Sequence, residues 1–349
     1  MQRLDGGSAV PEAFRGGIVA LGNFDGFHAG HQAVVGRAVS RARQEGRPAL
    51  VATFDPHPAR YFKPELPPFR LTTLEQRERR FAEAGADAML VFVFDAGLAA
   101  VTAAEFVTDH LSRRIGAAGV VTGEDFTFGK GRGGDVDVLK MLGQANRLSV
   151  NAVPAVSDAE GPISSSRIRE ALRLGDCATA ARLLTRPFAI EGIVLHGDKR
   201  GRELGFPTAN LGLGDYLRPR FGVYAVRGRL ADGRVLDGVA NLGLRPMFED
   251  GRELLEPWFF DFDGDLYGQP LEVSLIAFLR DEMAFGGVEG LIEQVARDAR
   301  EARALLSSSP RTRSGVHLLQ FDEARRWMPD QVRHDEFPNG VPSPLVGEG

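Results

Sequence analysis

The chain has 349 residues, 43% of them hydrophobic and 26% charged, with a formal net charge of −5 and one cysteine, Cys177. That length suits two domains with separate cores, and the acidic balance excludes general binding to nucleic-acid backbones, which calls for a basic surface. A single cysteine excludes an intrachain disulfide, no Cys/His spacing suits zinc, and no run of about 18 apolar residues is present to span a membrane. The N-terminus lacks a signal-peptide pattern, so a cytoplasmic protein is expected.

In chain order, Ile18-Val19-Ala20-Leu21 reads as a short buried strand, GNFDGFHAGH (22–31) turns the chain, and Gln32 to Ala42 carries helix-forming residues. ALVATF (49–54), AMLVFVF (88–94) and AGVVTG (118–123) read as further strands, with helical patterns over 31–45, 75–84 and 105–115. Alternation of this kind predicts an α/β, Rossmann-like domain with a parallel sheet. A helix over 178–184 closes it, and Thr185-Arg186-Pro187 is the joint.

From Phe188 the texture changes to short β-rich runs, AIEGIVL, GVYAVRGRL, LDGVANLGL, EPWFFDF and LEVSLIAFL, followed by a helical pattern over Leu291 to Leu306. These predict a small antiparallel β-barrel with a closing helix. The remainder lacks periodicity apart from a possible short helix over 318–327, so 307–349 is expected to be a disordered extension. The expected domains are thus 1–186, 187–306 and the extension.

His28 and His31 are three apart at a strand-to-helix junction, where helix N-terminal N–H groups can meet an anion. Gly22, Asn23, Phe24 and Gly30 surround them as candidate phosphate contacts. Taken alone, the pair reads more simply as one core and one surface histidine. ISSSRIREAL (163–172) sets Ser164, Ser165 and Ser166 at a helix start, followed by Arg167 and Arg169. By itself that is a capped helix with a solvated arginine. Together, hydroxyls, a helix N-terminus, a guanidinium and two imidazoles suit a triphosphate. In either protonation state the histidines can donate hydrogen bonds and so screen phosphate charge.

In the β-rich half, HGDKRGRELGFPTANLG (196–212) spaces Gly197, Gly201 and Gly205 four apart, with Lys199 between them. Such glycines let backbone wrap closely around a ligand. Thr208 and Asn210 offer neutral oxygens on one side of an extended segment, acceptable to a hard cation such as Mg²⁺ held mainly by nucleotide phosphates. A glycine-rich hairpin with satisfied turn groups is an equally good reading of this stretch alone.

The combination GxFDxxHxGH followed by ISSxxIR resembles the nucleotidyltransferase superfamily. TFDPHP (53–58) and GEDFTFGKGRGGD (123–135) resemble the FMN adenylyltransferase module of bacterial FAD synthetases. The resemblance implies that FMN phosphate attacks the α-phosphorus of ATP, with Mg²⁺ or another divalent cation bridging phosphates and His28, His31, Ser165 and Arg169 stabilising charge. It also implies a flavin seat in which Phe54, Phe126 and Phe128 supply flat apolar surface and Asp125 a hydrogen bond. As residues, the three phenylalanines fit a core equally well.

GFPTANL with its preceding glycines resembles the riboflavin kinase signature, and GVANLGLRP (238–246) and EPWFFDFDGDLYG (256–268) resemble its later segments. This implies ATP contacts at Gly197, Lys199, Gly201 and Gly205, metal contacts at Thr208 and Asn210, and flavin contacts at Asn241 and Arg245. Glu256 is implied as the base for the ribityl hydroxyl. One departure stands out: the family carries threonines around the Arg-Pro pair, whereas Leu244 and Met247 flank it here. The expectation is a bifunctional enzyme of FAD biosynthesis acting on riboflavin, FMN and ATP, with no nucleic-acid or membrane partner. Two rivals are an adenylyltransferase whose barrel only binds flavin, and a flavin- or nucleotide-sensing protein without turnover.

Overall fold

A computed structural model describes residues 1–196, 205–244 and 253–308. The first half contains strands β1 (Gln2–Asp5), β2 (Ile18–Leu21), β3 (Ala49–Asp55), β4 (Ala88–Val93), β5 (Gly119–Gly123) and β6 (Ser149–Val153) in one sheet, ordered β1-β4-β3-β2-β5-β6. Every neighbouring pair is parallel. β2 and all but the last residue of β3 are buried, as strands covered by helices on both faces must be. The chain winds outward from β2 through β3 and β4, then returns to the other side with β5. That reversal opens a crevice at the carboxyl end of β2, the usual ligand position in such sheets.

Helix Ala29–Glu45 follows β2 and buries Val34, Val35, Ala38, Val39 and Ala42 along one stripe, ending at Gly46 with φ 62°. Helix Leu74–Glu83 starts with a capping box between Thr73 and Gln76. The segment expected to be helical over 105–115 begins as one α-turn, Ala103–Glu105, and continues as a π-helix over Phe106–Arg114. The edge strands β1 and β6 and the helix Val136–Ala145 were not among the sequence expectations. After a short ribbon of β7 (Ser157–Asp158) and β8 (Gly161–Pro162), helices Ser165–Leu174 and Cys177–Leu184 lead to the joint.

The second half is an antiparallel sheet of β9 (Phe188–Ile193), β10 (Leu211–Gly212), β11 (Gly222–Leu230), β12 (Val235–Leu244), β13 (Glu253–Phe259) and β14 (Pro270–Arg280). Its order is β10-β13-β12-β11-β14-β9, and a bridge from Leu195 N to Asn210 O at 2.8 Å nearly closes the barrel. Leu211, Tyr224, Val226, Ala240, Leu242, Leu255, Val273 and Leu275 belong to its interior cluster. Val223, Ala225 and Val239 instead cluster with Ala299, Ala302 and Leu306 of the closing helix Val288–Ser308. That helix starts before Leu291 and runs past Leu306. The rest of the expected extension, including 318–327, lies outside the described residues.

The turn after β2 rests on one aromatic. Phe24 and Phe27 adopt φ values of 52° and 44°, costly for bulky residues. Their buried rings pack edge-on against Phe81, at 5.8 and 5.2 Å between centroids. Phe81→Ala is therefore expected to cost about 3–5 kcal/mol, measured as a lowered midpoint in urea unfolding, and a variant within 1 kcal/mol of wild type, roughly the scale of a peripheral contact, would show that the turn does not rest on this ring.

Candidate active sites

Folding brings the two expected histidines together. His28 is the N-cap of helix Ala29–Glu45, its Nδ1 accepting from His31 N at 3.4 Å. The two rings stack with centroids 3.6 Å apart. Gly30 is where the helix passes the ring, since a Cβ there would lie 3.1 Å from it. Burial lowers the His28 pKa to about 4 and takes His31 well below its ordinary value. Two stacked cations would also repel each other, so near neutral pH both rings are neutral. Their contribution to charge screening is a donated N–H rather than positive charge, which narrows the sequence reading. His31 Nδ1 and Asn23 Oδ1 are buried without a partner among the described residues. Phe24, expected at the phosphates, is instead 2% exposed and packs edge-on against His31 at 5.3 Å, so it orients that ring from within the core. Gly22 continues β2, donating to Ala52 O at 3.2 Å.

Asp25, given no role from sequence, organises this turn. It is 4% exposed, and its carboxylate accepts from Leu71 N (3.0 Å), Thr72 N (3.0 Å), Thr72 Oγ1 (3.2 Å) and Arg169 Nη2 (2.7 Å). Arg169 also donates through Nε to Phe69 O at 2.9 Å and lies over the Phe69 ring. It is thus no free fork: two of its nitrogens are committed within the protein. Ser164 caps its helix by accepting from Arg167 N, Ser165 Oγ donates to Asp25 O at 2.8 Å, and Ser166 is exposed. Arg167 is paired with Asp158 and Glu160.

Beside this turn, Asp25, His57, Phe69, Arg70 and Arg77 are among the residues lining a small cavity of about 60 Å³. His57 is neutral as well, with burial lowering it to about 4 and Nδ1 accepting from Ala59 N. Arg77 is 4% exposed and reaches Asn23 O, Thr53 Oγ1 and Asp55. The string TFDPHP pointed towards this region but singled out none of these residues. Of the expected flavin contacts, Phe54 and Phe128 are 8% and 7% exposed and stack in the core on Phe92 and Phe126 respectively. Phe126 is half-buried and Asp125 exposed.

In the barrel half, Thr208, Asn241 and Glu256 line one cavity of about 290 Å³. Asn241 and Glu256 are directly opposed across β12 and β13, and Val239 and Trp258 are the next pair on the same face. This is the outer face of the barrel, and Leu291, Val295 and Asp298 of the closing helix form the opposite wall. Asp298, 4% exposed, holds Arg280 through two bonds of 3.0 and 2.7 Å and accepts from Gln294 at 2.9 Å. Asn241 Nδ2 donates to Glu282 at 3.2 Å. Asn210 is 4% exposed with Oδ1 unpaired among the described residues, the state expected of an oxygen kept for a ligand. Gly205 has φ 85°, in the left-handed region that favours glycine. Gly197, Lys199, Gly201, Arg245 and Met247 lie outside the described residues, and Leu244 is half exposed at the end of β12.

Comparison with known proteins matches the two halves of the chain to two families. Residues 10–167 match the FAD synthetase family and residues 184–306 the riboflavin kinase family. The chain is 40% identical to the bifunctional riboflavin kinase/FMN adenylyltransferase of Pseudomonas fluorescens over 310 residues, 88% of this chain and 99% of the relative. The enzyme of the same description from Escherichia coli K12 is 38% identical over 288 residues, 82% of this chain and 92% of that one. A crystal structure from Streptococcus pneumoniae, described as a macrolide-efflux protein, superposes with a TM-score of 0.78 at 31% identity, covering 87% of this chain and 99% of its own. No helix among the described residues is long and apolar enough to cross a membrane. With these relatives matched over nearly their whole length, the chain belongs to the bifunctional riboflavin kinase/FMN adenylyltransferase family, whose members convert riboflavin and ATP to FMN and ADP, then FMN and ATP to FAD and pyrophosphate.

Proposed function

We propose that the two reactions run at separate sites: phosphorylation in the cavity under the closing helix, within a kinase domain of residues 187–306, and adenylyl transfer at the turn after β2, within residues 1–186. The observation that carries the kinase assignment is the convergence of Thr208, Asn241 and Glu256, from three separate segments, on one cavity. Glu256 takes the proton of the ribityl hydroxyl as its oxygen bonds to the γ-phosphorus and the bond to ADP breaks. Thr208 and Asn210 offer neutral oxygens to Mg²⁺, which supplies charge neutralisation on the nucleotide phosphates. The unpaired Oδ1 of Asn210 supports that role, and no cluster of three acidic, His or Cys ligands exists among the described residues to hold the ion otherwise. Gly197, Lys199, Gly201 and Arg245 complete the site by family resemblance alone.

At the other site, a phosphate oxygen of FMN bonds to the α-phosphorus of ATP as the bond to the departing pyrophosphate breaks. The nucleophile is already an anion, so no base is needed. His28 and His31 donate neutral N–H groups, helix N-termini after His28 and Ser164 add backbone donors, and Arg169 supplies positive charge. Half-buried Phe126 and exposed Asp125 are the candidates for the flavin side. A cytoplasmic location fits the one cysteine, which is buried and unpaired.

Glu256→Ala is expected to lower FMN formation from riboflavin by about 10²–10⁴-fold while FAD formation from supplied FMN continues, both read by chromatography of the flavins. Loss of both activities, or of neither, would defeat the separation. A second expectation concerns acid. Because the His28 pKa falls from 6.5 to about 4 on folding, the unfolded chain takes up its proton first as pH drops. Stability present above pH 6.5 is therefore lost progressively towards pH 4. In His28→Asn, which keeps a capping side chain, urea unfolding should lose less stability over that window, by an amount on the order of 2 kcal/mol.

A further inference from the structure

The segment Arg70–Gln76 is bound on two sides. Towards the adenylyltransferase turn, Leu71 N and Thr72 N donate to Asp25, and Thr72 Oγ1 accepts from Gly26 N at 2.9 Å. Towards the barrel, Arg70 N donates to Asp215 O at 3.1 Å and Leu217 N donates to Arg70 O at 2.8 Å. The capping box of helix Leu74–Glu83 carries the contact further. Gln76, 4% exposed, accepts from Thr73 N (3.0 Å) and from the Tyr216 hydroxyl (2.9 Å), and donates to Ala189 O (3.1 Å). Thr73 Oγ1 donates to Glu191 at 2.6 Å, and Tyr216 also accepts from Glu191 N at 3.3 Å. Ala189 and Glu191 lie in β9, and Tyr216 between β10 and β11, so all belong to the barrel half.

We propose that Tyr216 is a positioning residue for adenylyl transfer, acting from the barrel through Gln76 and the Arg70–Gln76 strap on the Asp25 turn. A capping box normally needs only its own two partners. Here its glutamine is shared with a buried phenol of the other half, and the strap that ends in it supplies three of the hydrogen bonds that fix Asp25. Because Asp25 in turn holds Arg169, a shift at Tyr216 is felt where pyrophosphate charge develops. Displacements well below an ångström matter for such alignment. Tyr216 is absent from the kinase cavity, which lies on the outer face of the sheet, whereas Tyr216 packs in the interior cluster. The barrel thereby serves the second reaction as a brace in addition to supplying its FMN.

The inference rests on the proposed placement of adenylyl transfer at the turn after β2, and the test separates the two. In the full-length protein, Tyr216→Phe, which removes the bond to Gln76 and the longer one from Glu191 N, is expected to lower kcat for FMN to FAD by about three- to tenfold, the net scale of such hydrogen bonds. KM values for FMN and ATP should stay within about twofold, and riboflavin phosphorylation should be unchanged. Thr73→Val, which removes the strap's link to Glu191 together with the cap of helix Leu74–Glu83, should give the same split between the two activities and serves as the second variant. Thr72→Val removes the side-chain bond of the strap to Asp25 and its bond from Gly26 N, leaving the backbone bonds; if the path runs through the strap, the double variant Tyr216→Phe/Thr72→Val loses less than the product of the two single losses. Multiplying losses, an unchanged kcat in Tyr216→Phe, or a parallel fall of both activities would each overturn the proposal. His31→Ala is the control for the site: if it retains FAD synthesis the placement itself fails, whereas its loss beside a neutral Tyr216→Phe condemns the brace alone.

Discussion

The adenylyltransferase half is organised around one buried carboxylate. Burying Asp25 removes it from water at a cost that only several hydrogen bonds and a cation can offset. Those partners come from Leu71, Thr72 and Arg169, remote in sequence but joined here. Its own backbone carbonyl is taken by Ser165. Through these bonds Asp25 ties the histidine turn to the strap and to the serine-capped helix. The left-handed Phe24 and Phe27, held by Phe81, then fix the direction in which His28 and His31 leave the strand.

The kinase half solves a similar problem with a different pair. Its cavity has a sheet for one wall and the helix Val288–Ser308 for the other, so the helix must be anchored without filling the gap. Arg280 and Asp298 form that anchor at the cavity edge, and Arg227 Nη2 donates to Leu306 O at the helix end. Between these points Ala299 and Ala302 allow close packing on Val223 and Ala225. Breaking the Arg280–Asp298 pair would leave a buried charge unpartnered, a larger penalty than the pair's own net worth.

Legibility in the sequence followed physical range. Ile18–Leu21 and Ala49–Asp55 are continuous apolar runs because helices cover both faces, and they were read almost to the residue. Gln2–Asp5 and Ser149–Val153 are edge strands, polar on their exposed sides, and gave no such signal. The same rule held at the sites. His28, His31, Thr208 and Glu256 sit in compact strings that the sequence singles out, and folding sets His28 against His31 and brings Thr208 and Glu256 to one cavity. Asp25 lies inside the most conspicuous string of all, yet its importance depends on donors 46 and 144 residues away. Likewise Phe24, Phe54 and Phe128, candidate ligand contacts in their strings, are 2%, 8% and 7% exposed and pack in the core, the alternative that the sequence leaves open for Phe54 and Phe128. The Arg169 guanidinium is also committed to a partner far off in sequence, the Asp25 carboxylate.

The two sites also differ in the way their chemistry demands. An alcohol must lose a proton to become a useful nucleophile, and the kinase cavity contains a carboxylate, Glu256, opposite an amide, Asn241. A phosphate monoester is already charged, and a carboxylate facing it would repel it. In the turn after β2 Asp25 is accordingly turned inward and saturated with donors, Asp55 on the adjoining cavity is paired with Arg70 and Arg77, and the imidazoles of His28 and His31 are neutral. Under the proposed placement, one half brings a carboxylate to its cavity and the other pairs the carboxylates beside its turn with arginines, an arrangement that suits transfers on successive forms of the same flavin.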